Sequence, residues 1–211
     1  MFKKQKWLFL ALSLTTVLCA CTNGSHSTEN GDLSGEQIEI QYDYQLKAGE
    51  PIEVYDMTFD QMVTVTVDPD SARDSAGNLR SDIFFDNCTF CSGLTIVGDY
   101  HAMISLGSGC SFGEGAVVTY QASSDDVARE TTLEDNLVKL FVACEGVEVE
   151  TESVVGVLTD GPEVVLNDTA YSKTDLAPDA DFLGIYSVYE GDTMTYVKFA
   201  IGEDDSAAIL E

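Results

Sequence analysis

The side chains able to do chemistry are four cysteines at 88, 91, 110 and 144, one histidine in the folded part, His101, and an excess of carboxylates. Cys88-Thr89-Phe90-Cys91 has the spacing of a redox pair or of half a zinc site. A redox motif opens a helix after a strand, whereas this one lies inside a β-rich run with no helix signal behind it. A structural zinc needs a second close pair, and Cys110 and Cys144 stand 34 positions apart. The cysteines therefore read as buried apolar residues or as the partners of one structural disulfide. His101, in Gly98-Asp99-Tyr100-His101, has no serine in a nucleophile elbow to serve and reads as a surface turn residue. Asp68, Asp70 and Asp74, and separately Asp179 with Asp181, offer hard oxygen ligands. The first three are the candidate calcium ligands, although neither group has EF-hand or nonapeptide spacing and acidic loops are more often merely solvated. Calcium apart, no cofactor is expected, and no Walker or dinucleotide glycine motif occurs.

The elements that must position these residues come from a repeat. Four stretches superpose: Ile52-Glu53-Val54 leading to Met57-Thr58-Phe59, Ile83-Phe84-Phe85 to Cys88-Thr89-Phe90, Ile104-Ser105-Leu106 to Cys110-Ser111-Phe112, and Val138-Lys139-Leu140 to Cys144. Each opens apolar-x-apolar and closes on Met or Cys. A second β-rich run follows each of the first three, at 62–67, 94–97 and 116–120, and the fourth continues through Val147 and Val149. Alternation and β-branched content make these strands, and a period near 22 residues, as between Phe90 and Phe112, is the size of one coil of a parallel β-solenoid. Stacked coils would align Met57, Cys88, Cys110 and Cys144 in one inward ladder and Phe59, Phe90 and Phe112 in another.

Over about residues 50–158 the pattern resembles right-handed parallel β-helix proteins. The expected fold is all-β: a short parallel solenoid of about four coils with a C-terminal β-hairpin, Phe182–Tyr189 and Thr193–Phe199 joined through Gly191. An antiparallel β-sandwich is the alternative that the turn signals also allow. Tyr186, Tyr189, Tyr196 and Phe199 are expected to pack over one end of the stack, Gln37–Tyr44 to cap the other, and Ile209 and Leu210 to form a frayed tail. Insertions at 68–82 and 121–136 are expected to emerge on one side and frame a binding site. The resemblance implies glycan chemistry as one function, with Asp82, Asp86 and Asp99 at coil edges and Arg73 and Arg80 in the insertion as the candidates. Charge opposes a lyase acting on an acidic polymer, because seven Lys and Arg remain against 37 Asp and Glu once the first twenty residues are removed.

Those first residues carry an address. Lys3, Lys4 and Lys6 precede an apolar run, Trp7 to Leu18, that ends in Leu18-Cys19-Ala20-Cys21. The apolar core is shorter than the ~18 to 20 residues a membrane-spanning helix needs. The segment resembles a bacterial lipoprotein signal peptide with its lipobox, which implies cleavage before Cys21 and lipidation of its thiol. Residues 1–20 are then the signal peptide, polar Gly/Ser-rich 21–36 a flexible tether, and 37–211 a single β domain. Losing the three lysines takes the formal charge from −27 to −30, which disfavours nucleic acid as a partner. The expectation is a lipid-anchored, noncatalytic protein of the bacterial envelope, at the outer membrane or cell surface. It would be held to the membrane by the lipid on Cys21 and present a structural or binding surface to an envelope glycan or protein. A carbohydrate-active β-helix enzyme, either a polysaccharide lyase or a glycoside hydrolase, and a calcium-binding surface protein are the alternatives.

Overall fold

The computed structural model describes residues 41–47, 49–67, 81–98, 102–122, 139–202 and 206–210. Most strands follow a dry–wet alternation: in Val63–Val67 the three valines are buried and the two threonines half-buried, the pattern of a strand with one face on a core. The chain lays these strands down in successive turns. Strand β1 (Tyr42–Leu46) precedes a first turn of β2 (Ile52–Tyr55), β3 (Thr58–Phe59) and β4 (Val63–Val67). The second turn is β5 (Ser81–Asp86), β6 (Thr89–Phe90) and β7 (Leu94–Val97), and the third is β8 (Ala102–Leu106), β9 (Ser111–Phe112) and β10 (Val118–Gln121). Two shorter turns follow, β11 (Lys139–Val142) with β12 (Glu148–Thr151), then β13 (Gly156–Thr159) with β14 (Glu163–Leu166).

Each strand pairs with its counterpart one turn away, and from β1 to β14 every such pair is parallel. The result is a stack of parallel sheets in the manner of a β-solenoid. The antiparallel sandwich is thereby replaced, since its strands would pair with antiparallel neighbours. Around Thr159-Asp160-Gly161-Pro162 the chain makes a further turn of the stack, with Val157 beside Leu140 and Leu166 beside Val149.

At the corner after the first strand of the first and second turns the backbone enters the left-handed region without glycine, at Asp56 (φ 58°) and Asn87 (φ 53°), the residue types that tolerate it best. The two side chains are joined, Asn87 Nδ2 donating to Asp56 Oδ1 at 2.5 Å. In the third turn this corner passes so close that a Cβ on Gly109 would sit 3.1 Å from Asn87 Cα and N, and only glycine fits without displacement.

The core runs down the axis as rows of like residues. Phe59 stacks on Phe90 with centroids 5.2 Å apart, and Phe90 on Phe112 at 4.9 Å. Phe85 meets Phe90 edge-on at 5.2 Å. Cys88, Cys110 and Cys144 are all buried in the same core. Met57 differs from the expected inward ladder: it is 39% exposed. Its backbone is in register, accepting from Thr89 N at 2.8 Å, but it follows β2, the edge strand of its sheet, so no turn covers it from beyond.

After β14 the chain reverses through Asn167 and Asp168 into β15 (Thr169–Ser172), which pairs antiparallel with β14. A single helical turn, α1 (Lys173–Leu176), capped by Ser172 Oγ accepting from Asp175 N, leads to β16 (Phe182–Glu190), β17 (Thr193–Ile201) and β18 (Ala207–Leu210). Gly191 at φ 68° makes the tight turn of the β16–β17 hairpin. Of the hairpin aromatics expected over this end of the stack, Tyr196 packs against the main core, while Tyr186 and Phe199 form a separate cluster with Val154. The hairpin extends the sheet edgewise, β16 pairing antiparallel with β13 and β18 with β17, so that Ile209 and Leu210 belong to a strand and not to a frayed tail. Extending the sheet satisfies the ladder groups of β13, which a cap of aromatic side chains alone would leave unpaired. At the other end β1 pairs parallel with β4.

The final order is a seven-stranded sheet, β1-β4-β7-β10-β12-β14-β15, an eight-stranded sheet, β18-β17-β16-β13-β11-β8-β5-β2, and a small one, β3-β6-β9.

Candidate functional site

Because strand side chains alternate, the residues between core positions on the eight-stranded sheet form outward rows. One row runs Glu53, Phe84, Ser105, Phe141, Leu158 across β2, β5, β8, β11 and β13, each opposite the next in the ladder. Phe84, Ser105, Phe141 and Leu158 are half-buried and Glu53 exposed, while their chain neighbours Ile83, Phe85, Leu106, Leu140 and Val157 are in the core. Two apolar rings therefore stand on the outer face of a protein with formal charge −27.

Each ring is held edge-on by a second aromatic. Tyr55, 48% exposed, meets Phe84 with centroids 5.9 Å apart at 69°, and Phe182 meets Phe141 at 5.6 Å and 71°. T-shaped contacts of this kind fix ring orientation as well as burying area. Asp82 and Asp86 flank Phe84 two residues either side on β5, hence on the same outer face. A second outward row, Asp82, Met103 and Lys139, runs alongside. At the far end the row meets a separate small apolar cluster of Val154, Tyr186 and Phe199, with Leu158 packed against it.

Two of the glycan-chemistry candidates, Asp82 and Asp86, are thus placed, but four residues of extended strand separate them by about 13 Å. Paired carboxylates of a glycoside hydrolase stand ~5 to 9.5 Å apart, so these two do not form such a pair. Asp99, Arg73, Arg80 and His101 lie outside the described residues, as do Cys21 and the calcium candidates Asp68, Asp70 and Asp74. Asp179 and Asp181 lie near the start of β16, and among the described residues no three His, Cys, Asp or Glu are grouped to hold a metal ion. The insertions expected at 68–82 and 121–136 leave β4 and β10 and return at β5 and β11, strands separated by β7 in one large sheet and by β8 in the other; residues 68–80 and 123–138 lie outside the described residues.

Three of the four cysteines, Cys88, Cys110 and Cys144, occupy the core, and Cys91 is half-buried outside it. Cys88 Sγ donates to Val54 O at 3.6 Å or Asp86 O at 3.4 Å, and Cys110 Sγ to Phe85 O at 3.3 Å. Cys88, Cys110 and Cys144 are thiols, with no disulfide between them. Burial raises the pKa of all three, Cys110 to about 11 and Cys144 to about 12, each with a smaller push from the thiol one turn before it. Such thiols are protonated and unreactive at neutral pH.

The sequence reading did not single out Phe84, Ser105 and Phe141 as a row. In the fourth repeat it aligned Leu140 with Leu106, whereas the ladder sets Leu140 beside Ile104 and Phe141 beside Ser105. The available signal was Ile83-Phe84-Phe85, where an apolar residue occupies a position that alternation assigns to solvent. No protein-family model, curated protein or solved structure matches this chain.

Proposed function

We propose that the protein is a lipid-anchored, noncatalytic component of the bacterial cell envelope, whose short solenoid is held outside the cytoplasm on a polar tether and binds a partner through the outer face of its eight-stranded sheet. The binding half rests on the outward row Phe84, Ser105, Phe141 and Leu158, because an apolar strip on a strongly acidic surface marks an interaction site. The location rests on the leader ending in Leu18-Cys19-Ala20-Cys21, which supplies both a short apolar core and a cysteine where lipidation requires one. The acyl chains would do the anchoring at about 0.8 kcal/mol per buried methylene.

Expression in a bacterial host with labelled palmitate tests the location. The chain should incorporate label and lose its leader, and Cys21→Ala should abolish both. Label on Cys21→Ala, or none on the parent, would end the lipoprotein reading. The glycan-hydrolase alternative is disfavoured by the spacing of Asp82 and Asp86 on one strand.

A further inference from the structure

We propose that the row Phe84, Ser105, Phe141 is a platform for an extended, uncharged β-1,4-linked polysaccharide lying along the stacking axis. The inference deepens the reading of this face as the binding surface and rests on it. Phe84 and Phe141 sit in one register on β5 and β11 with Ser105 of β8 between them. Strands in a sheet are about 4.8 Å apart, so the two ring-bearing positions are about 9.6 Å apart along the axis. That is close to the rise of two sugars in an extended β-1,4 chain, in which every second sugar presents the same face. A ring, a gap and a ring therefore meet successive equivalent faces, and the small Ser105 leaves room for the inverted sugar between them.

The chemistry around the row fits the same ligand. Flat apolar rings stack on the C–H faces of sugars, and a few well-placed polar groups fix the orientation. Asp82 and Asp86 on β5 and Glu53 on β2 border Phe84, and carboxylate oxygens accept from sugar hydroxyls. Tyr55 and Phe182, set edge-on against Phe84 and Phe141, hold the rings before any ligand arrives, which lowers the entropic cost of binding. Charge selects among polysaccharides: an acidic polymer is repelled by a chain at −27, whereas a neutral one is not.

The test is calorimetric titration of the full-length protein in detergent micelles with cellohexaose and chitohexaose, with maltohexaose and oligogalacturonate as controls. One or both β-1,4 hexamers should bind, and the α-linked and acidic chains should not. Phe84→Ala and Phe141→Ala should each weaken binding by about tenfold or more and the double variant should abolish it, with the melting temperature little changed. Phe84→Tyr with Phe141→Tyr should retain binding, which guards against a folding defect in the alanine variants. Equal binding of α- and β-linked chains, binding indifferent to both alanines, or no hexamer bound at millimolar concentration would each overturn the glycan proposal. Sedimentation of the same variants separates that failure from failure of the surface itself. Self-association of the parent that the double alanine variant lacks, without glycan binding, would make the face a docking site for a second copy; neither behaviour would overturn both readings.

Discussion

The ring of Phe199 lies across the backbone of Gly184 on the adjacent antiparallel strand: a Cβ on Gly184 would come within 2.2 Å of Phe199 Cε2. The aromatic covers the strand where a glycine offers no side chain of its own, and Tyr186 packs beside it with centroids 4.9 Å apart. Gly184→Ala should therefore destabilise the protein by about 1 to 3 kcal/mol, the usual cost of overpacking, despite alanine being the better strand residue. Phe199→Ala removes the obstacle, so the two substitutions combined should cost less than their sum. Urea unfolding of the two single variants and the double variant checks this, and strict additivity would contradict the contact.

Phe90 is the middle of three stacked rings and is fully buried, with Phe59, Phe112 and the edge of Phe85 around it. Phe90→Ala opens a cavity that two rigid rungs cannot close and should cost about 3 to 5 kcal/mol in urea unfolding. Phe112→Ala should cost clearly less, since Phe112 is only half-buried at its rung.

Much of this architecture was legible because the rows repeat. Phe59, Phe90 and Phe112 recur at one register in the sequence and pair rung to rung in the fold. The register of the fourth turn was hidden by its corners. From the last core residue of the first strand to the cysteine the chain takes three residues at Phe85–Cys88, four at Leu106–Cys110 and two at Val142–Cys144, so anchoring on the cysteines slips the strand. The slip is two residues, which preserves the inward face while exchanging every neighbour. That is why the buried faces could be read and the outer row could not. The strand β18 was illegible for another reason: Ala207 to Leu210 is too short to show a period, and only the ladder offered by β17 makes it a strand.

Asn167 ties the hairpin to the stack. At φ 46° its side-chain oxygen accepts from Thr151 N at 2.8 Å, and its Nδ2 is within donating distance of Thr151 O at 2.8 Å and Tyr196 Oη at 2.9 Å. The amide thus acts as a missing strand, satisfying both backbone groups of a buried residue. Asn167→Ala leaves them without these partners and loses a side chain that tolerates the left-handed region, so a cost of about 1 to 3 kcal/mol is expected. Asn167→Asp keeps the acceptor and loses the amide donor, and should fall between. Hydrogen exchange at Thr151 N reads the effect directly; unchanged protection in Asn167→Ala would show that the amide is dispensable.

The buried thiols make stability fall at high pH, and the sign follows from which state ionises first. Below pH about 9 each thiol is protonated folded or unfolded and contributes no pH dependence. Above it the unfolded thiols ionise, while burial holds Cys110 protonated to about 11 and Cys144 to about 12. Between those limits the unfolded state binds fewer protons, so stability falls with rising pH by up to ~1.4 kcal/mol per pH unit for each thiol. Cys144→Ala removes one such group. Its deficit against the parent in urea midpoint at pH 8 should therefore narrow steadily from pH 9 upward, by up to ~1.4 kcal/mol per pH unit after conversion to free energy. A deficit constant across that range would mean that the Cys144 thiol ionises equally in both states and is not buried as the fold requires.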